Sequence, residues 1–236
     1  MTRSFKAKLL RAEPVIVVNA DHPSPSLVER MGRLPIDAVF IDCEQGSPDL
    51  ESVENMARAA RVTGLTSLVR LFDHRDWVIE RYMGRGVDGI VVPRLETAEQ
   101  AADVVEAIRY CFPNNHADKI LVVQIETRGA LEALDRILAV KGIDVLFLGP
   151  VDLAKSLGFA GDYLGPEMQR VLRDAVRRID QGGGVPGILV DRDNAAGWLR
   201  AGARFLYEHV DSLLAAGAAN FKASLEGVRP EQGASQ

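Results

Sequence analysis

The chain has 236 residues, 47% of them hydrophobic, and a formal net charge of −5 from 28 basic and 33 acidic side chains. That length suits one α/β barrel or two small domains and buries a sizeable core without disulfides, while the well-mixed charge argues against a nucleic-acid surface. Cys43 and Cys111 lack metal-ligand or redox spacing, no apolar run approaches the ~20 residues of a membrane span, and no signal-peptide pattern follows the basic N-terminus, so a cytoplasmic protein is expected.

In chain order, apolar strands alternate with amphipathic helices. Residues 14–19 read as a first strand, after which Ser24-Pro25 supplies a cap and a first-turn proline. Residues 38–42 form the second strand, and Ser47-Pro48-Asp49 opens the next helix in the same way, running to Thr63. Residues 67–70 form the third strand, followed by a helix over 75–83, and residues 89–93 form the fourth. Thr97 with Gln100 three residues later reads as a capping box for a helix to Tyr110. Strand five covers 120–126, with a helix over 128–139. Strand six covers 145–149, with a longer helical region that includes 166–180. Gly182-Gly183-Gly184 suits a helix stop. Strands seven (187–190) and eight (204–210) follow, separated by a helix over 194–201. A last helix runs through Leu225, and the polar tail 226–236 is expected to fray.

Eight strand–helix units with short loops predict one (β/α)8 TIM barrel over residues 1–225. No Gly-x-Gly-x-x-Gly or Walker loop follows a strand, which disfavours nucleotide cofactors. Ligands of such barrels bind at the carboxyl ends of the strands. That rim is expected to carry Asp42, Glu44, Gln45, Arg70, Arg94, Gln124, Glu126, Asp152, Asp191, Glu208, His209 and Asp211.

Two of these acids, Glu126 and Asp152, each end an apolar run from neighbouring strands, and together they suit one hard cation. Asp152 has a plainer explanation as a helix-start residue. Glu126 is harder to dismiss, because Thr127 is already available as a cap and an unpaired buried carboxylate costs on the order of 3–5 kcal/mol. An all-oxygen pair favours Mg²⁺ or Mn²⁺ over zinc, with Co²⁺ also possible, and the four histidines show no ligand spacing. Arg70 suits a carboxylate or enolate oxygen, or else a structural ion pair with Glu44 or Asp42. A cation beside an arginine fits enolate chemistry on a 2-oxo acid.

The segments Phe40-Ile-Asp-Cys-Glu44, Arg70, Val91-Val-Pro-Arg-Leu-Glu-Thr97, Gln124-Ile-Glu126-Thr127, Gly149-Pro-Val-Asp152-Leu153, Pro186-Gly-Ile-Leu189 and Val210-Asp211 resemble the HpcH/HpaI aldolase and citrate lyase superfamily. They resemble in particular its metal-dependent 2-oxo-acid aldolases. The resemblance implies a barrel that assembles as a homo-oligomer (trimer or hexamer), its last helix packing on a neighbouring subunit. It implies metal ligands Glu126 and Asp152, with Arg70 and Gln124 on the pyruvyl or enolate oxygens. The amides near Val151 and Asp152 would hold the carboxylate, and Leu189 would flank the methyl carbon. The expected partners are a pyruvate- or oxaloacetate-type 2-oxo acid and an aldehyde.

Two departures stand out. The aldolases' Asp-x-Glu-His has Gln45 in place of the histidine base, and the position of its aspartate partner is Gly84. Glutamine orients a water but does not take its proton. A Pro-x-Gly-x-Arg-Gly loop usual in the aldolases is also absent from residues 110–119. Three readings follow: a lyase with a substituted base (a metal-bound water, His22 or His74), a citrate-lyase-like acyl-CoA lyase, or a non-catalytic binder of metal and 2-oxo acid.

Overall fold

A computed structural model describes residues 2–226; of the tail expected at 226–236, residues 227–236 lie outside the described residues. Eight parallel strands close into a barrel in chain order. They are β1 (Val15–Asn19), β2 (Ala38–Asp42), β3 (Thr66–Arg70), β4 (Gly89–Val92), β5 (Ile120–Ile125), β6 (Val145–Leu148), β7 (Pro186–Leu189) and β8 (Phe205–His209). β8 pairs back onto β1 over five residues, from Val15 opposite Phe205 to Asn19 opposite His209. The predicted (β/α)8 architecture is the observed one.

The apolar runs make this arrangement possible, because each strand is covered on both faces. One cluster fills the barrel interior: Val17, Phe40, Leu68, Val122, Phe147 and Phe205 are among its members. A larger cluster lies between the sheet and the surrounding helices. The Phe147 and Phe205 rings pack at 5.5 Å between centroids with their planes tilted by 54°, so the interior is packed rather than a channel.

Eleven α-helices and one short 3-10 helix (His116–Asp118) surround or flank the strands among the described residues. The first, α1 (Thr2–Leu10), was not anticipated: it has no cap signal, and its apolar residues are few. It carries Phe5 and Leu9 into the interior cluster, with Phe5 edge-on to Phe205 at 6.5 Å. Lys6–Asp144 at 3.1 Å and a Lys8–Asp37 pair pin it beneath the barrel. It closes the end opposite the ligand face.

The helices that position the site are α2 (Pro25–Met31), α3 (Leu50–Thr63), α4 (Asp76–Met83), α5 (Ala98–Cys111), α6 (Arg128–Glu132), α7 (Leu134–Leu138), α8 (Pro150–Leu157), α9 (Pro166–Gln181), α10 (Ala195–Ala201) and α11 (Val210–Ser224). The capping box at Thr97 and Gln100 is present, and Ser24 caps α2 through the Leu27 amide. Two local expectations are corrected. Asp49, not Ser47, caps α3, because its carboxylate accepts from the Ser52 amide and leaves Ser47-Pro48 in the preceding turn. The helix expected over 128–139 is two short ones joined at Ala133, whose φ of −87° and ψ of 2° break the helical path. No helix among the described residues is long and apolar enough to cross a membrane.

Candidate active site

Every second residue of a strand points into the barrel. Along Phe40-Ile-Asp42, Leu68-Val-Arg70, Val122-Val-Gln124 and Phe205-Leu-Tyr207-Glu-His209, the inward positions are apolar deep in the barrel and polar near the carboxyl ends. Phe40, Phe147 and Tyr207 meet at 4.9 Å and 5.3 Å between centroids and form the floor. The polar side chains stand on it.

Arg70 is the best-anchored charge of the rim. Its Nε and Nη2 donate to Asp42 Oδ1 and Oδ2 at 2.9 and 2.6 Å, and its Nη1 lies 3.1 Å from Glu44 Oε2. The guanidinium also sits over the Phe40 ring at 5.7 Å. The ion pair weighed from sequence is therefore present, with both acids at once. Asp42 takes two of the five N–H groups of an arginine, so donors remain for a ligand. Burial works to raise the Asp42 carboxyl, but the hydrogen bonds and charge of Arg70 and the Gln45 and Glu44 amides hold it below the usual carboxylate range.

Glu126 is buried at 3% exposure just beyond β5. Its Oε1 accepts from the Arg94 amide at 2.8 Å and its Oε2 from Gln124 Nε2 at 2.6 Å. Burial first, and then the negative charge of Glu44, push its carboxyl up to about 7. Arg94 holds a left-handed backbone (φ 59°), which aims its amide at Glu126, while its Nε donates to Glu44 Oε1 at 3.0 Å. Gly149 lies directly against this pair: a Cβ there would stand 2.9 Å from Glu126 Oε2 and 3.2 Å from Gln124 Nε2.

Asp152 sits in the first turn of α8, with its carboxylate half-exposed and paired to Lys155 Nζ at 2.9 Å. The N-cap of α8 is Gly149, which provides no side-chain cap, so the first-turn amides near Val151 and Asp152 are open to an anion. Leu189 ends β7 and packs on the interior cluster.

The donors suit a hard divalent cation. Gln124 Oε1 is buried without a hydrogen-bond partner, Glu126 is a buried carboxylate with no cationic side chain bonded to it, and the glycine at 149 leaves room beside both. Among the described residues no group of three or more His, Cys, Asp or Glu forms a complete cage. Two carboxylates with water and a chelating substrate fit the open coordination that Mg²⁺ keeps at its reactive sites.

The structure thus brings Arg70, Gln124, Glu126, Leu189 and the start of α8 to one mouth, together with Asp42, Glu44 and Arg94. Gln45 is exposed in the turn after β2, its backbone N–H donating to Asp42 Oδ1 at 3.2 Å. Gly84 ends α4 and so lies, within this chain, toward the opposite end of the barrel.

The profile of the HpcH/HpaI aldolase/citrate lyase family matches residues 16–218. The chain belongs to that family. A hydroxypyruvate/pyruvate aldolase of Agrobacterium fabrum is 32% identical over 208 residues, 78% of each chain. A 2-keto-3-deoxy-L-rhamnonate aldolase of Klebsiella pneumoniae is 31% identical over 91% of this chain and 89% of its own. The crystal structure of a family protein from Burkholderia cenocepacia superposes with a TM-score of 0.86 at 25% identity, covering 95% of this chain and all of that one.

A second cluster shares the mouth and was not assembled from sequence. Asn19 Nδ2 donates to the Tyr207 hydroxyl at 2.9 Å, and Asn19 Oδ1 accepts from the Asp21 amide at 3.0 Å. His209 Nδ1 lies 2.6 Å from Asp21 Oδ1, and its Nε2 faces the Tyr207 hydroxyl at 3.4 Å. The signal was the inward parity of Tyr207 and His209 on β8. Their partners lie 188 residues away on β1 and just beyond it, a separation no local pattern reveals.

Proposed function

We propose that this chain is a divalent-cation-dependent carbon–carbon lyase of the aldolase type, making or breaking a bond next to the enolate carbon of a pyruvate-type 2-oxo acid. The observation that carries the reading is the buried Glu126–Gln124 pair beside Gly149, set across the mouth from an arginine fixed by two acids. The aldolase relatives support the same chemistry.

Glu126 and Asp152, with Mg²⁺ or Mn²⁺ the best-suited ions, would hold the cation, which when bound supplies positive charge to polarise the substrate's ketone. Arg70 directs its remaining N–H groups at the developing enolate oxygen and is stiffened for that task by Asp42 and Glu44. The open amides of α8 receive the substrate carboxylate, where helix polarity favours an anion. Leu189, with the aromatic floor of Phe40, Phe147 and Tyr207, excludes water from the reacting carbon. To hold the cation, Asp152 would give up its contact with Lys155.

The same reading includes self-association through α11. That helix is exposed along most of its length and presents Leu213, Leu214 and Phe221, a face suited to a second copy of this chain.

Oxaloacetate decarboxylation tests the site, because losing CO₂ produces the pyruvate enolate directly. Turnover is expected with Mg²⁺ or Mn²⁺, to vanish on chelation and to fall at least about 100-fold in Glu126→Gln. Decarboxylation that ignores both chelation and this substitution would sink the assignment.

A further inference from the structure

Gln45 stands where the family resemblance implies a histidine base, and it is exposed in the turn after β2. The mouth contains another imidazole that is tied in place. We propose that His209, held by Asp21 and reached through the Tyr207 hydroxyl, is the proton acceptor of this site. The inference rests on the lyase reading above and adds to it the group that moves the proton.

Four contacts close a ring across the seam between β8 and β1: Asn19 to Tyr207, Tyr207 to His209, His209 to Asp21, and Asp21 back to Asn19. A carboxylate only accepts hydrogen bonds, so Asp21 Oδ1 at 2.6 Å fixes the His209 proton on Nδ1. That leaves the Nε2 lone pair facing the Tyr207 oxygen at 3.4 Å, a distance of the kind that shortens when substrate binds. Asp21 adopts a left-handed backbone (φ 57°), and its other oxygen lies 3.4 Å from the Asp211 amide. The remaining charged neighbours face elsewhere. His22 turns to Asp211 at 3.8 Å, and Glu208 accepts from the His209 amide.

Tyr207 provides the route inward. Its ring belongs to the floor between Phe40 and Phe147, its strand position pairs with Leu189, and the positive charge of Arg70 reaches its hydroxyl. Burial nevertheless keeps that hydroxyl protonated well above neutral pH, so it works as a relay and not as a phenolate. The arrangement matches an imidazole oriented by a carboxylate, with a hydroxyl between it and the substrate.

In cleavage of a 4-hydroxy-2-oxo acid, the C4 hydroxyl proton passes to the Tyr207 oxygen as Tyr207 gives its own proton to His209 Nε2. The C3–C4 bond breaks, its electron pair becomes that of the pyruvate enolate, and C4 departs as an aldehyde. The proton then returns from His209 through Tyr207 to C3, which yields pyruvate and restores neutral His209. No oxidant or reductant is consumed.

Deuterium exchange into the methyl group of pyruvate, followed by proton NMR with the Mg²⁺-loaded protein, needs this proton transfer. Oxaloacetate decarboxylation reaches the enolate without it. His209→Asn and Tyr207→Phe should each lower the ratio of exchange to decarboxylation by about 100-fold, the scale of a lost general base. A merely structural role lowers both rates together; that result, or an unchanged ratio, overturns the inference. Wild-type protein that decarboxylates without exchanging overturns it alone, whereas absent decarboxylation overturns the lyase reading and the inference with it. Histidine ¹⁵N spectra of the metal-free protein give an independent readout. They should show His209 protonated on Nδ1 and shifted by Asp21→Asn, and an Nε2–H tautomer contradicts the proposed direction of transfer.

Discussion

Replacing Arg70 by alanine would strip two buried acids of their shared cation. The side chains of Arg70, Asp42 and Glu44 are 13%, 10% and 7% exposed, so solvent screens little of the loss. Removing one member of a buried ion-pair network costs about 3–5 kcal/mol, because the partner charges stay buried and unpaired. In a chain of this size that corresponds to a drop in Tm of roughly 6–20 °C. Urea unfolding followed by circular dichroism should show the lower midpoint at unchanged slope. The effect also has a pH signature. Asp42 is held below the ordinary carboxylate range, so its contribution is fully present above that range and is lost as pH falls through its lower folded value. The stability gap between wild type and Arg70→Ala should therefore narrow in acid. In a double-mutant cycle, Asp42→Ala should cost much less in the Arg70→Ala background than in wild type. A single-mutant cost under about 1 kcal/mol, or strict additivity of the two changes, would refute the reasoning.

Three further outcomes follow from the packing. Gly149→Ala places a methyl 2.9 Å from Glu126 Oε2, so Mn²⁺ affinity measured by calorimetry should fall at least about tenfold with only a modest change in Tm. Phe205→Ala, at a fully buried ring between Phe5 and Phe147, should cost about 3–5 kcal/mol in urea unfolding. Leu214→Asp with Phe221→Asp on α11 should convert the proposed oligomer to monomers by light scattering while leaving the barrel's circular dichroism intact.

Much of the fold was legible because a parallel barrel repeats one physical pattern. Runs such as Leu121-Val-Val and Val145-Leu-Phe-Leu are apolar on both faces, and caps such as Ser24 and Thr97 mark where helices begin. α1 escaped because its stability comes from Phe5 and Leu9 filling the barrel's lower end, a tertiary contact with no local signature. The break at Ala133 escaped for a similar reason, since no glycine or proline marks it.

The site was legible in part. Strand-end positions and the family resemblance pointed to Arg70, Gln124 and Glu126. They did not reveal that Asp42 and Glu44 both engage Arg70, or that the Arg94 backbone reaches Glu126. Asp152 shows the limit most clearly: its place at the start of α8 was readable, but its present partner Lys155 depends on side-chain rotamers. The ring through Asn19, Tyr207, His209 and Asp21 closes only when β8 meets β1.

Retro-aldol release of pyruvate from a 4-hydroxy-2-oxo acid tests the central claim most directly, compared in wild type with Mg²⁺, wild type with chelator, and Glu126→Gln with Mg²⁺. The account predicts turnover only in the first case. Equal pyruvate release in all three, or none in any, would contradict it.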